Sequence, residues 1–345
     1  MRGLTISAHG GPEQIVYRDD LAMPDVRRDT DVRIRMRAAA LNHLDLFLLK
    51  GLPGVTIAPP WILGADGTGI VDSIGSAVTS VAVGDSVVIN PGLSDRTCAY
   101  CLAGEHPLCL RFGILGEHFP GTMAEYVVVP AANVLTIPAD ADLAESAAVT
   151  LATLTAYRML ATRAKLQAGE HVLIWGIGGG VAIACLQIAK LLGARATVTS
   201  GSDEKLARAI ALGADDTINH RGTDVGREIR ARTGKKGVDV VVDSVGEASW
   251  AQSLGALGRA GRLVTCGGTS GPIVTTDVRK LFWNQWTILG STMGNDAEFS
   301  AVVELYRNGR LRPPIDRVYP LSDGRSAFER LEQAAQFGKV VVQIE

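Results

Sequence analysis

The sequence predicts an α/β protein in which a doubly wound parallel sheet is combined with a β-rich domain. From about residue 131 to 274, short apolar runs alternate with helical patterns, which indicates parallel strands with helices on both faces. Before about residue 130, short strand patterns follow one another with turn residues between them, as in a β-barrel or a β-sandwich. The 345 residues are enough for about two domains.

Composition and charge narrow the class of protein. Hydrophobic residues make up 47% of the chain and charged residues 20%, which is ordinary for a soluble globular enzyme. The formal net charge of −2 and the lack of a basic run give no reason to propose nucleic acid or a membrane as a partner. We therefore expect a small-molecule substrate. The N-terminus has no apolar signal segment, so we predict a cytoplasmic protein.

The β-rich half carries four polar residues that are candidates for function. The segment Asp31–Ala40 alternates apolar and arginine side chains, which predicts a half-buried strand. Asn42, His43 and Asp45 follow it, and Asp66 lies in a glycine-rich stretch. A structural interpretation stays open for two of them, because Asn42 is also a typical helix N-cap and Asp66 a typical turn residue.

A cysteine cluster lies near the end of this half. Cys98, Cys101 and Cys109 fall within a polar loop, and in a cytosolic chain this spacing predicts a metal site before a disulfide framework. Three thiolates close a tetrahedral Zn²⁺ site only with a fourth ligand. Asp95 repeats the three-residue step of the first two cysteines and is the preferred fourth ligand, with His106 as its competitor. Three unmetallated thiols are the alternative. With four protein ligands, the single zinc ion per chain would brace a loop.

The second half is organised around a glycine-rich turn between a strand and a helix. The apolar run Val172–Trp175 predicts a buried strand, and apolar residues recur at helical spacing from Val181 onward. A helix N-terminus offers free N–H groups to a phosphate, and glycine lets the phosphate approach the backbone. A simple bend is the alternative for the motif alone, but the alternating strands and helices favour a dinucleotide site. We predict cofactor contacts at Gly176, Gly178, Gly179, Gly180 and Val181.

The end of the next strand bears on the choice between NAD and NADP. In NAD-binding units an acidic residue about 20 residues beyond the turn holds the ribose 2′-hydroxyl. Ser200 occupies that position here, and Ser202 and Lys205 follow it. Two hydroxyls and an ammonium suit a 2′-phosphate, so we predict NADPH. Both serines also fit as caps of the next helix, and Asp203 keeps NAD as the alternative.

Taken together, these motifs resemble those of the medium-chain dehydrogenase/reductase superfamily, which includes zinc alcohol dehydrogenases and quinone or enoyl reductases. The resemblance runs in family order from about residue 40 to the C-terminus. The matching stretches are ALNHLDLFLLKG, LGADGTGIV, VGDSVV, CAYCLAGEHPLC, GTMAEYVVVP, LTAYRML, HVLIWGIGGGVAIACLQIAK, VDVVVDSVG and FGKVVV. The resemblance implies a GroES-like β-barrel catalytic domain of residues 1–130 and 275–345, with a Rossmann dinucleotide-binding domain of residues 131–274 inserted in it. By family analogy we expect a homodimer or homotetramer. Further cofactor contacts are expected from Thr155, His220, Gly267, Ser291 and Lys339.

The chain departs from zinc alcohol dehydrogenases at the catalytic metal. At the positions that match the three zinc ligands of that family it has Asn42, Ala65 and Leu151, and Asp66 stands where the family has a glutamate. None of the first three is a credible Zn²⁺ ligand, so we expect no catalytic zinc. The structural-zinc lobe is retained, with Asp95 where the family usually has a cysteine.

A site that holds NADPH without a catalytic metal can still transfer hydride, because the cofactor carries that chemistry. The acceptor must then react without a Lewis acid, and conjugated enones, enoyl thioesters and quinones fit this requirement. We predict an NADPH-dependent reductase of an activated C=C bond or a quinone, in which Asn42 contacts the substrate or the nicotinamide, and His43 or Asp45 relays a proton. A metal-free carbonyl reductase or alcohol dehydrogenase is one alternative, and a non-catalytic NADPH-binding protein is another.

Overall fold

A computed structural model describes all residues from Met1 to Glu345. The strands are β1 (Gly3–Ile6), β2 (Val16–Arg18), β3 (Asp31–Ala40), β4 (Trp61–Ile62), β5 (Asp66–Ile74), β6 (Ser86–Ile89), β7 (Gly92–Leu93), β8 (Gly113–Ile114), β9 (Tyr126–Pro130), β10 (Val134–Thr136), β11 (His171–Ile174), β12 (Arg195–Ser200), β13 (Asp216–Asn219), β14 (Val238–Val242), β15 (Leu257–Thr265), β16 (Thr287–Gly290), β17 (Ile315–Pro320) and β18 (Lys339–Gln343). The α-helices are α1 (His43–Lys50), α2 (Ala99–Leu102), α3 (Leu143–Ala148), α4 (Leu151–Tyr157), α5 (Gly180–Leu191), α6 (Asp203–Ala211), α7 (Val225–Arg232), α8 (Trp250–Ala256), α9 (Val278–Asn284), α10 (Asp296–Arg307) and α11 (Gly324–Glu332). A π-helix, Arg158–Arg163, continues α4.

The chain divides into two compact units. Unit 1 consists of Met1–Leu154 and Gly294–Glu345, and unit 2 consists of Thr155–Met293. The longest α-helices, α5 and α10, have 12 residues each. None of the helices combines the length and the apolar character that crossing a membrane requires.

Unit 1 is built on a seven-stranded sheet in the order β10-β6-β5-β3-β18-β17, with β9 also paired to β3. The long strand β3 has the predicted period of two, because Val32, Ile34 and Met36 are buried while Arg33 and Arg35 reach solvent. A second sheet, β2-β1-β4, shares the same apolar core. The expected half-buried strand in a β-rich domain is therefore confirmed.

The order of strands in unit 1 brings distant polar residues to one edge of the sheet. The end of β3 pairs with β5 on one side, where Ala40 lies opposite Asp66, and with β18 on the other, where Ala40 lies opposite Val341. The chain leaves β3 at Ala40 and enters α1 at His43. The starts of β5 and β18 thus lie beside the turn that contains Asn42.

Unit 2 contains a six-stranded, fully parallel sheet in the order β13-β12-β11-β14-β15-β16. Renumbered within the unit, this is the 3-2-1-4-5-6 order of a doubly wound dinucleotide-binding sheet. The order reverses between β11 and β14, and ligands of such sheets bind beyond the carboxyl ends of the strands at this point. The glycine turn directly follows β11, so the α/β class and the place of the turn agree with the sequence prediction.

Both boundaries between the units lie later in the sequence than the predicted domain boundaries near residues 130 and 275. Residues 131–154 belong to unit 1, because β10 pairs with β6 and α3 packs its alanines against Ala38 and Ala40 of β3. Residues 275–293 belong to unit 2, because β16 extends the parallel sheet beside β15. Both differences come from pairing between segments that are distant in sequence, which no local pattern encodes.

Candidate functional site

In unit 1, five polar side chains form a buried group that we call the polar cluster: Asn42, Asp45, Asp66, Thr150 and Lys339. All five are at most 8% exposed. Three of them lie at the ends of neighbouring strands, since Asn42 follows β3, Asp66 begins β5 and Lys339 begins β18. Buried polar groups need hydrogen-bond partners, and the members of the polar cluster supply most of these to one another.

Asp66 is the centre of the polar cluster. Its Oδ2 atom accepts hydrogen bonds from Lys339 Nζ at 2.9 Å and from Asn42 Nδ2 at 3.0 Å. Its Oδ1 atom accepts from Thr150 Oγ1 at 2.5 Å and from the Leu151 backbone N–H at 2.6 Å. Asp66 is therefore the anionic partner of a buried ion pair. The alternative that Asp66 is a turn residue is wrong, because it begins strand β5.

Asn42 bridges the two charges of that ion pair. Its Oδ1 atom accepts from Lys339 Nζ at 2.6 Å, and its Nδ2 atom donates to Asp66. Asn42 is also the N-cap residue of α1, and its backbone N–H donates to Asp45 Oδ2 at 2.7 Å. The N-cap interpretation of Asn42 is confirmed. Its predicted contact with substrate or nicotinamide stays a prediction, and both polar ends of its amide are engaged inside the chain.

Asp45 is a buried carboxyl group in the first turn of α1. Burial raises its pKa to about 7, although the backbone N–H groups of Asn42 and Gly64 and the charge of Lys339 act in the opposite direction. Asp45 is 2% exposed. Its carboxylate accepts a hydrogen bond from the backbone N–H of Asn42 at the start of α1. That Asp45 relays a proton to the substrate stays a prediction.

His43 differs from its neighbours in the polar cluster. Its side chain is half-buried, and no hydrogen bond joins its imidazole to another group of the chain. Burial lowers its pKa from the ordinary value, and the positive charge of Lys339 lowers it further. Both effects favour the neutral form of the imidazole, which carries one N–H donor.

Two of the three positions that the sequence resemblance matches to zinc ligands of alcohol dehydrogenases carry no ligating side chain. Ala65 is fully buried and has no ligand atom, and Leu151 brings only a backbone N–H, which Asp66 already accepts. The third position is Asn42, whose amide oxygen faces the ammonium of Lys339. The amide oxygen of Asn42 is therefore already engaged by a cationic side chain of the same chain.

The cysteine cluster is a separate site in unit 1. The ligand atoms of Asp95, Cys98, Cys101 and Cys109 all lie within 4.8 Å of one another, a spacing that a tetrahedral Zn²⁺ ion with four such ligands can close. The backbone N–H groups of Asp95 and Arg111 each donate to Cys109 Sγ at 3.3 Å.

Asp95 and His106 were the two candidates for the fourth ligand. Asp95 Oδ1 accepts hydrogen bonds from the backbone N–H groups of Thr97 and Cys98 at 2.9 Å each, and these bonds hold its pKa well below the ordinary value. His106 turns away, and its Nε2 atom lies 3.6 Å from the carboxylate of Asp296. The geometry therefore groups Asp95, and not His106, with the cysteines.

The glycine turn of unit 2 has the conformation that a phosphate site needs. Gly176 and Gly178 have φ angles of +72° and +127°, which residues with a side chain rarely adopt. A Cβ atom on Gly176 would meet only Val245 at 3.8 Å, so the inner side of the turn is open. Helix α5 begins at Gly180 with Gly179 as its N-cap, and Val181 is half-buried in its first turn. The turn can accept a pyrophosphate at the helix N-terminus.

A basic residue that the sequence reasoning missed lies beside the predicted ribose position. Ser200 is buried at the end of β12, and Ser202 caps α6 by accepting from the Lys205 backbone N–H at 3.4 Å. A Cβ atom on Gly201 would lie 2.9 Å from Nε of Arg221 and 3.2 Å from Nε2 of His220. Arg221 follows the next strand of the sheet, β13, whose end lies beside the end of β12. The place of Arg221 directly after the strand that neighbours β12 is the sequence feature that could have indicated its approach to the ribose position.

Three buried polar atoms in unit 2 have no hydrogen-bond partner: Trp175 Nε1, Arg262 Nε and Ser291 Oγ. Trp175 follows β11, and its ring stacks on that of His220 with centroids 5.8 Å apart. Such atoms are rare in folded proteins and are suited to a polar ligand. Of the other predicted cofactor contacts, Thr155 Oγ1 donates to Met293 Sδ at 3.9 Å, Gly267 follows β15, and Lys339 is engaged in the polar cluster of unit 1.

The fold agrees with the comparisons with known proteins. Residues 28–139 match the alcohol dehydrogenase GroES-like domain, and residues 180–308 match the zinc-binding dehydrogenase family. The chain is 30% identical to a zinc-type alcohol dehydrogenase-like protein of Schizosaccharomyces pombe over 95% of this chain and 94% of the relative. It is 28% identical to a quinone oxidoreductase of Lama guanicoe over 99% and 97% of the two chains. A solved structure described as an NAD-dependent alcohol dehydrogenase superposes with a TM-score of 0.96 at 43% identity and covers 100% of both chains.

The parallel sheet with its glycine turn, combined with a GroES-like unit, defines an oxidoreductase. The chain belongs to the medium-chain dehydrogenase/reductase superfamily.

Proposed function

We propose that this chain is an NADPH-dependent reductase that delivers hydride to an activated C=C bond or to a quinone without a catalytic metal. The observation that carries the proposal is that Ala65 and Leu151 bring no ligating side chain to the positions matched to zinc ligands, while Asn42, the third position, bridges the buried ion pair of Lys339 with Asp66. A site of this kind does not polarise a simple ketone as a Lewis acid does. The acceptor must therefore already be electron-poor, as conjugated enones, enoyl thioesters and quinones are.

The residues of unit 2 that would hold the cofactor are the glycine turn, Trp175, His220 and Arg221. The turn offers N–H groups to the pyrophosphate, and the guanidinium of Arg221 suits a 2′-phosphate at the end of β12, where Ser200 takes the place of an acidic residue. When bound, the reduced nicotinamide supplies the hydride. The unpaired Ser291 hydroxyl and Trp175 indole N–H are further donors for the nucleotide.

His43 is the residue of unit 1 that we propose to bind the acceptor. A neutral imidazole N–H can hold a carbonyl oxygen while negative charge develops on it, and an imidazole that stays neutral at pH 7 is a known electrophile of this kind. Its low pKa and its lack of a partner inside the chain both suit this role. Asn42 and Asp45 then act on the position of His43, which begins the helix that Asn42 caps.

Replacing Arg221 with alanine tests the cofactor proposal. We expect the KM for NADPH to rise roughly tenfold or more, because a charge-assisted contact with the 2′-phosphate is lost, while the KM for NADH changes by less than about twofold. Steady-state kinetics with both cofactors measure this. Arg227→Ala is the matched control, since that arginine of unit 2 is 90% exposed in α7. Equal effects on NADPH and NADH would contradict the assignment of Arg221 to the phosphate.

We further propose that Asp95, Cys98, Cys101 and Cys109 hold one structural Zn²⁺ ion. The four ligand atoms fit such an ion, and four protein ligands leave no position for a reacting water molecule. Elemental analysis of the purified protein is expected to find about one zinc per chain. Cys98→Ser is expected to lose most of this zinc and to lower the thermal midpoint while hydride transfer is retained.

The control for the zinc experiment is Cys266→Ala, which changes a cysteine of unit 2 outside the cluster. It is expected to keep one zinc per chain. If Cys98→Ser keeps its full zinc content, or if the wild-type protein binds two zinc ions, the assignment of the metal sites is wrong.

A homodimer is the assembly that we propose from unit 2. Strand β16 forms the edge of the parallel sheet, and the helix that precedes it, α9, exposes 64% of Val278, 64% of Phe282 and 70% of Trp283. An open sheet edge beside large exposed apolar side chains is typical of a contact with another chain. A second copy that pairs with β16 would extend the sheet.

Trp283→Glu tests this assembly. The charge is expected to raise the dissociation constant of the dimer roughly 30-fold or more, since an aromatic anchor of an interface contributes about 2 kcal/mol or more. Sedimentation velocity over a range of concentrations measures it. Val83→Glu, an exposed position of unit 1, is the control. A wild-type protein that is monomeric at all concentrations, or a Trp283→Glu variant with unchanged assembly, would exclude this interface.

A metal-free alcohol dehydrogenase that uses NAD is the second candidate. The solved structure at 43% identity bears the name of an NAD-dependent alcohol dehydrogenase, which favours it. Oxidation of simple alcohols by NAD⁺, measured beside NADPH-dependent reduction of enones and quinones, separates the two activities.

A further inference from the structure

We propose that Thr199 is a positioning residue for the cofactor, whose hydroxyl joins the glycine turn to His220 and fixes which ring nitrogen of His220 carries the hydrogen. The imidazole then presents its Nε2–H group to the space beside Gly201, at the ribose end of the cofactor site. The part that concerns the cofactor rests on the proposed function, whereas the state of the imidazole can be tested on the protein alone.

Thr199 lies in β12 with 0% of its surface exposed, and two of its oxygen atoms bond the glycine turn. Its backbone oxygen accepts from the Ile177 N–H at 2.7 Å, and its Oγ1 atom accepts from the Gly176 N–H at 3.3 Å. The same Oγ1 atom lies 3.4 Å from Nδ1 of His220, which follows β13. One hydroxyl therefore joins the turn that would hold the pyrophosphate to a side chain at the ribose end.

The direction of the hydrogen bond between Thr199 and His220 follows from the partners of the hydroxyl. A backbone N–H group only donates, so Oγ1 is the acceptor toward Gly176. The hydroxyl hydrogen of a buried threonine needs an acceptor of its own, and Nδ1 of His220 is the other hydrogen-bond partner of this hydroxyl. Nδ1 therefore accepts, and a neutral imidazole with an accepting Nδ1 carries its hydrogen on Nε2.

Two further contacts hold the His220 ring in place. The backbone N–H of His220 donates to the Ser200 backbone oxygen at 3.0 Å, which continues the parallel pairing of β12 with β13. The ring stacks on that of Trp175 with an angle of 27° between the two planes. Trp175 is buried and directly follows β11, so the strand that leads into the glycine turn also braces the imidazole.

Gly201 leaves space in front of His220 Nε2. A Cβ atom on Gly201 would lie 3.2 Å from Nε2 and 2.9 Å from Nε of Arg221, closer than side chains ordinarily pack. The φ angle of Gly201 lies outside the left-handed region, so the backbone conformation does not require a glycine there. What this glycine provides is space, bordered by two nitrogen donors that suit an oxygen of a 2′-phosphate.

The state of the imidazole is tested by NMR on the full-length protein, with isotope-labelled histidine and without cofactor. Burial and the charge of Arg221 lower the pKa of His220, so spectra at a pH of about 8 report its neutral ring. His220→Gln identifies the signals of this ring among the six histidines. In the wild-type protein we expect the hydrogen on Nε2, with Nδ1 unprotonated.

Two substitutions of Thr199 complete the NMR experiment. Thr199→Ser keeps the hydroxyl and is expected to leave the hydrogen on Nε2. Thr199→Val keeps the shape of a strand residue without the hydroxyl, and a mixture of the two neutral forms of His220 is expected. A wild-type ring with its hydrogen on Nδ1, or a Thr199→Val ring in the same state as the wild-type ring, overturns the proposal.

Cofactor affinity measures the consequence for the proposed site. In calorimetric titrations, Thr199→Val is expected to raise the Kd for NADPH roughly threefold more than the Kd for NADH, since only NADPH offers a charged acceptor to Nε2. Thr199→Ser is expected to restore the wild-type ratio of the two Kd values. A purely structural role would loosen the glycine turn and weaken both cofactors by the same factor, because they share the pyrophosphate. That result would contradict the assignment of Thr199.

Gly201→Ala is a second variant that leaves the Thr199 hydroxyl in place. Its methyl group fills the space in front of His220 Nε2, so the Kd for NADPH is expected to rise roughly tenfold while the ring keeps its hydrogen on Nε2. Unchanged affinity for NADPH in Gly201→Ala overturns the proposed contact. If the ring has the expected state and the wild-type protein binds neither NADPH nor NADH, the proposed function fails while the effect of Thr199 on His220 stands.

Discussion

The Lys339→Met variant is expected to lose about 3–5 kcal/mol of its free energy of unfolding. Removing one partner of a buried ion pair leaves the other charge without compensation, which is among the largest effects of a single substitution. In this chain the Asp66 carboxylate is fully buried and would lose its cation, and Asn42 would lose the donor at its amide oxygen. Urea denaturation of the full chain measures the loss. Hydrogen exchange of β3, β5 and β18 shows whether it falls in unit 1.

Two controls separate charge loss from packing. Lys339→Arg keeps the charge and is expected to lose less than half of that amount. Adding Asp66→Asn to Lys339→Met removes the unpaired carboxylate and is expected to recover part of the stability, because the two sites are directly coupled. If Lys339→Met unfolds at the same urea concentration as the wild-type protein, the ion pair contributes nothing and the polar cluster is misassigned.

Replacing His43 with alanine is expected to lower kcat/KM for an accepted enone or quinone by roughly 10²- to 10³-fold, the usual effect of losing one preorganised donor to a developing oxyanion. The loss is expected mainly in kcat, since the hydrogen bond strengthens as charge develops on the acceptor. In the wild-type protein, activity is expected to fall as the pH decreases through the low pKa of His43, because the imidazole then gains a proton.

The control for this substitution is His171→Ala. His171 begins β11, at the opposite end of that strand from the glycine turn, and its Nε2 atom lies 2.8 Å from Thr197 Oγ1. A modest loss of stability without a specific loss of kcat is expected. If His43→Ala retains kcat/KM within a factor of about two on every accepted substrate while the protein binds NADPH, His43 does not hold the acceptor.

Local patterns predicted much of the fold, because several of its elements are encoded by neighbouring residues. The period of two in Asp31–Ala40 reflects the alternation of side chains across β3, and the glycine turn after Val172–Trp175 requires positive φ angles that glycine adopts readily. The ends of the two units were less predictable. They depend on the pairing of β10 with β6 and of β16 with β15, which are contacts between distant segments.

The candidate site shows the same contrast. The cysteine cluster and the N-cap role of Asn42 are local features, and both were visible in the sequence. The ion pair of Asp66 with Lys339 joins residues 273 positions apart, and it exists because β3 lies between β5 and β18. Arg221 was missed for a similar reason, since its approach to Gly201 depends on the parallel pairing of β12 with β13.

The most direct test of metal-free reduction is a screen of NADPH oxidation against quinones, conjugated enones, enoyl thioesters and simple ketones, run in parallel with NADH and with or without added Zn²⁺. If reduction is metal-free, electron-poor acceptors are expected to be reduced faster with NADPH than with NADH, and added Zn²⁺ is expected not to change the rate. Turnover restricted to unconjugated ketones or alcohols and dependent on added Zn²⁺ would contradict metal-free reduction.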